Sequence, residues 1–278
     1  MLYLVATPIG NLGDISPRAA ETLAAVDFIA AEDTRVTRRL LAHLGIKKPL
    51  LSYFAHNRRD REDEILTRLQ KGQSCALVCD AGTPAISDPG EELVALCVAN
   101  GITVVVVPGP CAAIAALAAS GLPTGRFCFE GFLSTAKKNR MAHLAELKTE
   151  RRSMVFYEAP HKLPYTLRDM LNAWGDRKIA IGRELTKYHE EMIYTTLSAA
   201  AAQYSSEGEK PRGEFVLVIE GAVAPVESDD DPEVLRKAGL RLRALIAEGY
   251  SRKDAVRQCA EETGIAKNVL YAESLREK

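Results

Sequence analysis

Short apolar runs that alternate with helical patterns constrain the first half of this chain more than any other feature. Residues 2–7, 28–31, 50–54, 75–79 and 103–107 read as strands. Between them, Ser16-Pro17 offers an N-cap and a first-turn proline for a helix running to Val26. Thr34 opens a second helix that Gly45 stops, and residues 60–71 place Ile65, Leu66 and Leu69 on one face ahead of Gly72. Residues 91–100 and 111–120 complete the set. Parallel strands need crossover connections, so this alternation predicts an α/β domain over residues 1–122, with a mainly parallel sheet covered on both faces.

Residues 124–133 are expected to be a connecting stretch. Beyond it, helices over 137–150, 163–174 and 197–204 alternate with strands over 154–158, 178–184, 191–196 and 215–220. These shorter, more hairpin-like elements predict a second α/β domain over 123–222 with a mixed sheet. The acidic segment 223–233 is bracketed by prolines and reads as a linker. Residues 234–278 carry three helical patterns, 235–246, 252–263 and 267–276, with helix-turn-helix-like spacing.

Several function classes are disfavoured. No GxxxxGK[ST] loop occurs, and the turn after the first strand reads Thr7-Pro-Ile-Gly-Asn-Leu-Gly13 rather than GxGxxG. The five histidines stand isolated, and the six cysteines form no CxxC pair, so no metal site is expected and the thiols read as reduced and structural. No apolar window reaches the roughly 18 residues of a membrane span. The first residues lack a basic flank and read as a strand, not an export signal, which predicts a cytoplasmic protein. With 36 Lys and Arg against 37 Asp and Glu, any nucleic-acid binding must come from local patches.

The loops after the strands are unusual. They read Ala6-Thr-Pro-Ile-Gly-Asn-Leu-Gly-Asp14, Glu32-Asp-Thr-Arg35, Asp80-Ala-Gly-Thr-Pro-Ala-Ile-Ser-Asp-Pro-Gly90 and Val107-Pro-Gly-Pro110. Each alone is readable as a tight turn. Ligands of open α/β sheets bind beyond the carboxyl ends of strands, however, so four such loops on neighbouring strands point to a site. The second half adds Tyr157-Glu-Ala-Pro-His-Lys162 and Arg183-Glu-Leu-Thr-Lys-Tyr-His-Glu-Glu191 at strand ends, either as solvated decoration or as a substrate wall.

Taken in order, these six motifs resemble the tetrapyrrole-methylase-like (class III) methyltransferases, over roughly residues 1–222. Relatives acting on precorrins or diphthine precursors carry Gly-Asp-Pro in the third loop. The triplet here is Gly82-Thr83-Pro84, which resembles the branch that methylates the ribose 2′-hydroxyl of a decoding-site cytidine in 16S ribosomal RNA. The resemblance implies two α/β domains with S-adenosyl-L-methionine in the cleft between them, a helix-turn-helix-like tail and a homodimer. It places cofactor contacts at Pro8, Ile9, Gly82, Thr83, Pro84, Ala85, Ile86, Cys111, Ala112, Tyr157, Gly213 and Glu214.

The implied reaction is an in-line displacement. A ribose hydroxyl is a poor nucleophile, so a general base or a charge facing the developing alkoxide is expected among Glu32, Asp33, Asp88, Glu158, His161, Glu184 and Lys187. For the RNA, the basic residues Arg35, Arg38, Arg39, Lys47, Lys48, Arg58, Arg59 and Arg61 form a strip, with Tyr53, Phe54 and His56 as stacking faces. A solvated helix face is the plainer reading of such a run. A second basic cluster is Lys137, Lys138 and Arg140, with Arg151 and Arg152 beyond. Three rivals stay open: a small-molecule methylase of tetrapyrrole type, a non-catalytic nucleic-acid-binding protein, and a nucleotide-sugar or NAD-type enzyme.

Overall fold

The first sheet contains β1 (Leu2–Val5), β2 (Phe28–Ala31), β3 (Leu50–Ser52), β4 (Cys75–Val78) and β5 (Val104–Val107), in the order β3-β2-β4-β1-β5. Every pairing in it is parallel. The coordinates are a computed structural model that describes residues 1–54, 57–205, 210–222, 232–263 and 265–275. Contacts divide the chain into two units, Met1–Ala222 and Val223–Lys278.

The strands of this sheet are apolar on both faces because both faces are covered. Leu2, Phe28, Ala30 and Leu77 pack under Ile65 and Leu69 of α3 (Arg58–Gln70) and under Leu93 and Cys97 of α4 (Glu91–Ala99). Val5, Ile29, Ala76 and Val78 face Ala19 and Leu23 of α1 (Pro17–Ala25) and Leu41 of α2 (Thr34–His43). Ser16 caps α1 by accepting from the Ala19 N–H, with Pro17 in the first turn, as the sequence predicts. The register sets Val5 beside Val107, Leu4 beside Leu77 and Ala31 beside Val78. All four strand-end loops therefore leave the same edge of the sheet.

The second sheet is mixed, in the order β6-β7-β10-β8-β9, with β6 (Phe127–Phe132), β7 (Ser153–Glu158), β8 (Lys178–Arg183), β9 (Glu191–Thr196) and β10 (Phe215–Ile219). Only β6 and β7 run parallel in it; the other pairs are antiparallel. One face carries α6 (Lys137–Glu146), α7 (Leu163–Trp174) and α8 (Leu197–Gln203), whose Leu144, Leu167, Met170 and Leu197 pack on Phe156, Ile181 and Leu217. The opposite face receives α5 (Ala112–Ala119): Ala113, Ala116 and Leu117 lie against Val155, Ala180, Val216 and Val218. A helix that leaves the first sheet thus seals the second, so the two lobes share one apolar seam.

The stretch 124–133, expected to be a plain connection, instead contains edge strand β6. Its pattern was hidden by Glu130 and Gly131: the register breaks between Phe129 and Gly131, and Gly131 takes φ 61°. Within the second unit, α9 (Pro232–Ala247), α10 (Arg252–Thr263) and α11 (Lys267–Leu275) enclose Ala238, Leu242, Leu245, Ala255, Cys259 and Leu270. The linker positions 223–231, together with Gly264 and Arg276, lie outside the described residues. No helix among the described residues is long and apolar enough to cross a membrane.

Candidate active site

The strand-end loops are sewn to one another by backbone. Thr7 and Gly82 exchange two hydrogen bonds, Thr7 N–H to Gly82 C=O at 2.8 Å and Gly82 N–H to Thr7 C=O at 3.0 Å. The buried Thr7 hydroxyl donates to the Cys79 carbonyl, and Thr83 Oγ1 donates to the Pro110 carbonyl at 3.1 Å. Gly82 sits at φ 88°, while Ala85 and Ser87 are held at φ 66° and 63°, where side-chain-bearing residues pay strain. Three loops are thereby locked into one surface.

The second lobe meets them. Phe215, the first residue of β10, lies level with both Glu158 and Arg183, so the ends of β7 and β8 and the start of β10 share one edge. Tyr157 OH accepts from the Ala113 N–H at 3.2 Å, tying β7 to the first turn of α5. Glu184 and Thr186 also take positive φ, 50° and 66°. Lys187 Nζ donates to Glu184 Oε1 at 2.8 Å and to Glu214 Oε2 at 2.9 Å, and Glu184 Oε1 also accepts the Glu214 N–H. A Cβ on Gly10 would clash with Lys187 Cγ, so the first loop lies directly against this cluster.

Between the lobes lies a cavity of about 430 Å³. Its apolar lining includes Ile9, Ala112, Leu185 and Val216, with Phe132 and Tyr157 as aromatic wall. Those two rings lie 5.5 Å apart. Its acidic lining is Glu32, Asp80 and Asp88, with Glu158 and Glu214. Burial first, then the charges of Asp88 and Asp80, raises the Glu32 carboxyl above its usual range. Asp80 and Asp88 are raised as well, again chiefly by burial. Each of the three carboxylates is thus crowded by burial and by a like charge, a setting suited to holding a proton or facing a cation.

The sequence candidates distribute unevenly. Of the expected cofactor positions, Ile9, Gly82, Thr83, Ile86, Cys111, Ala112, Tyr157 and Glu214 line the cavity. Pro8 instead lines a smaller hollow of about 200 Å³ against Arg39 and Leu40, while Pro84, Ala85 and Gly213 belong to the loop backbones beside the cavity. Of the expected catalytic set, Glu32, Asp88 and Glu158 line it. Glu158 is buried with both oxygens engaged, one by the Ala159 N–H and one by the Thr166 hydroxyl. Asp33 caps α2 and forms a bidentate pair with Arg35, which holds its carboxyl down at about 2. Glu184 and Lys187 belong to the ion cluster, and His161 lines a neighbouring hollow.

Asp80, Phe132 and Ser87 line the cavity but were not singled out by sequence reasoning. Asp80 and Ser87 were visible inside the third loop; Phe132 was hidden with its unrecognised strand. In the basic strip, Arg35, Arg38, Arg39, Lys47 and Arg59 are exposed and Lys48 is half-buried. Arg61 pairs with Glu64, and Arg35 with Asp33. Tyr53 is fully buried, its hydroxyl donating to Glu62, so it offers no stacking face; Phe54 is exposed. His56 and the side chain of Arg58 lie outside the described residues. Arg140, in the second basic cluster, is tied to the buried Asp169 at 2.8 Å.

The family model for tetrapyrrole (corrin/porphyrin) methylases matches residues 1–201. A ribosomal RNA small subunit methyltransferase I of Synechocystis sp. is 52% identical, covering 99% of this chain and 97% of its own. A protein of the same name from Escherichia coli O157:H7 is 44% identical over 100% of this chain and 95% of its own. The chain belongs to the ribosomal RNA small subunit methyltransferase I family of tetrapyrrole methylases. It is a methyltransferase. Solved structures share the two-lobed fold at low identity. Diphthine synthase aligns over 79% of this chain and 89% of its own with a TM-score of 0.60 at 13% identity. Uroporphyrin-III C-methyltransferase from Thermus thermophilus, complexed with S-adenyl homocysteine, aligns over 78% and 96% with a TM-score of 0.53 at 18% identity.

Proposed function

We propose that this methyltransferase moves the methyl group of S-adenosylmethionine to a ribose 2′-hydroxyl of 16S ribosomal RNA, at the decoding-site cytidine of the small subunit. The observation that carries the reading is the cavity between the lobes, apolar along Ile9, Ala112, Leu185 and Val216 and acidic at Glu32, Asp80 and Asp88. Such a lining fits a cofactor that combines an aromatic base with sulfonium and ammonium cations. The relatives named for small-subunit RNA, and the neighbour complexed with the demethylated cofactor, agree with it.

Pro8, Ile9, the segment Gly82 to Ile86, Cys111, Ala112, Tyr157, Gly213 and Glu214 would hold the cofactor. When bound, it supplies an electrophilic methyl group on a good leaving group. The protein then has three tasks: aligning the hydroxyl, excluding water and accepting a proton. The strained, cross-bonded loops supply a wall that does not reorganise. Glu32 is the residue we assign as proton acceptor, because burial and its acidic neighbours raise its proton affinity. Asp88, raised by burial, is its alternate. Glu158 and the Lys187 cluster position the second lobe's loops, since their polar atoms are already engaged.

The exposed guanidiniums of α2, Arg38 and Arg39, with Lys47 and Arg59, form the surface we assign to RNA phosphates. Residues 1–122 and 123–222 then act as the two catalytic lobes, 223–233 as linker and 234–278 as an added RNA-binding segment. The setting is the cytoplasm, with the enzyme as a homodimer. The test is methyl transfer from labelled S-adenosylmethionine to small ribosomal subunits, run beside a tetrapyrrole acceptor. Label in RNA alone supports the reading; label in the tetrapyrrole alone overturns it.

A further inference from the structure

Beside the cavity opens a second hollow, of about 490 Å³, which shares Pro160 with it. Its lining includes His161, Pro164, Tyr165 and Arg168, from the turn after β7 and the first half of α7. Tyr165 is 56% exposed, a large aromatic surface left to water. The Arg168 guanidinium carbon lies 5.4 Å from the centre of its ring, within cation–π range. His161 and Arg168, both exposed, line the same hollow as this ring, and Lys162, half-buried, stands next to His161 in the turn.

Among the described residues, the nearby acids of α7 and β7 do not neutralise this surface. Asp169, the one acid of α7, is buried and bound to Arg140 on the side facing α6. Glu158 is buried and bonded to the Ala159 N–H and the Thr166 hydroxyl. An exposed ring within cation–π range of a guanidinium, with further basic side chains in the same turn and no unpaired acid among the described residues of α7 and the end of β7, matches the chemistry of single-stranded nucleic-acid recognition: a π-face for a base, basic groups for its phosphates. Pro160, which lines both, sets it next to the cavity where methyl transfer is assigned.

We infer that the α7 shelf holds a nucleotide flanking the methylated one, its base stacked on Tyr165 and its phosphate at Arg168 and Lys162. The inference rests on the RNA reading above and extends it to the second lobe, which the α2 strip does not reach in sequence. The target ribose would then be presented to the cavity by RNA gripped on either side, by α2 and by α7.

The experiment measures methyl transfer to small ribosomal subunits lacking the modification, for wild type, Tyr165→Ala, Tyr165→Phe, Arg168→Ala and an Arg38→Ala/Arg39→Ala control. Affinity for S-adenosylmethionine is measured in parallel. Base stacking is worth about a tenfold change in affinity per residue. Tyr165→Ala should raise KM for subunits by about that factor while leaving kcat and cofactor affinity near wild type, and Tyr165→Phe should restore KM. Arg168→Ala should raise KM and flatten its salt dependence. Unchanged KM in both alanine variants overturns the shelf. So does a loss of cofactor affinity in Tyr165→Ala, which would mark a structural residue. If the α2 control weakens RNA while the shelf variants do not, only the shelf falls. If wild type transfers nothing to RNA, the RNA reading itself falls.

Discussion

Adding one methyl group at Gly10 tests how tightly the two lobes are keyed together. In Gly10→Ala the new Cβ would clash with Lys187 Cγ and stand 2.9 Å from Thr186 Oγ1 and 3.1 Å from the Leu185 carbonyl oxygen. The first contact is with the base of the lysine side chain, not its mobile tip, so the whole side chain must turn. Turning it strains the two hydrogen bonds from Lys187 Nζ, at 2.8 and 2.9 Å. Thr186 has little room to retreat, being fixed at φ 66° with its Oγ1 buried and without a hydrogen-bond partner among the described residues. Overpacking of this kind costs about 1–3 kcal/mol. At roughly 2–4 °C per kcal/mol for a chain of this size class, the melting temperature should fall by about 2–12 °C. Ile9 and Leu185 both line the cavity, so cofactor affinity should fall with it, by about tenfold. A double-mutant cycle isolates the cause. Lys187→Ala removes the atom struck first, so Gly10→Ala should cost at least about 0.5 kcal/mol less in that background. Calorimetry and cofactor titration on the four proteins read both effects. Strict additivity, or a neutral Gly10→Ala, would refute the keyed-lobe reasoning.

Glu32→Gln should lower turnover at saturating substrates by about a hundredfold or more, within the usual range for a lost general base, yet raise the melting temperature by about 1–2 °C, because it removes a carboxylate crowded by Asp88 and Asp80. The sign follows from the raised carboxyls of Glu32, Asp80 and Asp88: they bind protons more tightly folded than unfolded, so their contribution is complete at acid pH and is lost as pH rises through the folded values. Cofactor affinity should move the other way, weakening on acidification before pH reaches the ordinary carboxylate range, which a titration series would show. Glu184 is depressed, first by its hydrogen bond from Lys187, so its stabilisation is present above the ordinary carboxylate range and fades as pH falls through its folded value. Thermal melts of Glu184→Gln against wild type should converge in acid. Arg140→Ala should cost about 3–5 kcal/mol in denaturant unfolding, since it strands the Asp169 carboxylate, whose side chain is 6% exposed.

Much of the fold was legible because the first sheet is written in simple periods. Strand β2 and helix α7 fall where the sequence places them, and Ser16-Pro17 marks the start of α1 correctly. Strand β6 was missed because an edge strand with a glycine bulge at Gly131 shows neither alternation nor a continuous apolar run. The site was legible as a set of loops but not as roles. Composition names Asp33, Glu158 and Glu32 alike as acids beside strand ends. Only three-dimensional partners separate them: Arg35 occupies the first, Thr166 and the Ala159 N–H the second, while the third faces the cavity among other carboxylates. Likewise Tyr53 and Phe54 look equivalent in the basic strip until packing buries one and exposes the other.

The central claim is that the cavity between the lobes delivers a methyl group to a ribose hydroxyl of small-subunit RNA. Alkaline hydrolysis tests it most directly, because a 2′-O-methyl group removes the nucleophile that cleaves the adjoining phosphodiester. Small ribosomal subunits treated with the enzyme and S-adenosylmethionine should yield RNA with one new hydrolysis-resistant linkage, at a decoding-site cytidine. That linkage should be absent when Glu32→Gln replaces wild type. Methyl incorporation with every linkage still cleaved would place the group on a base and contradict the account.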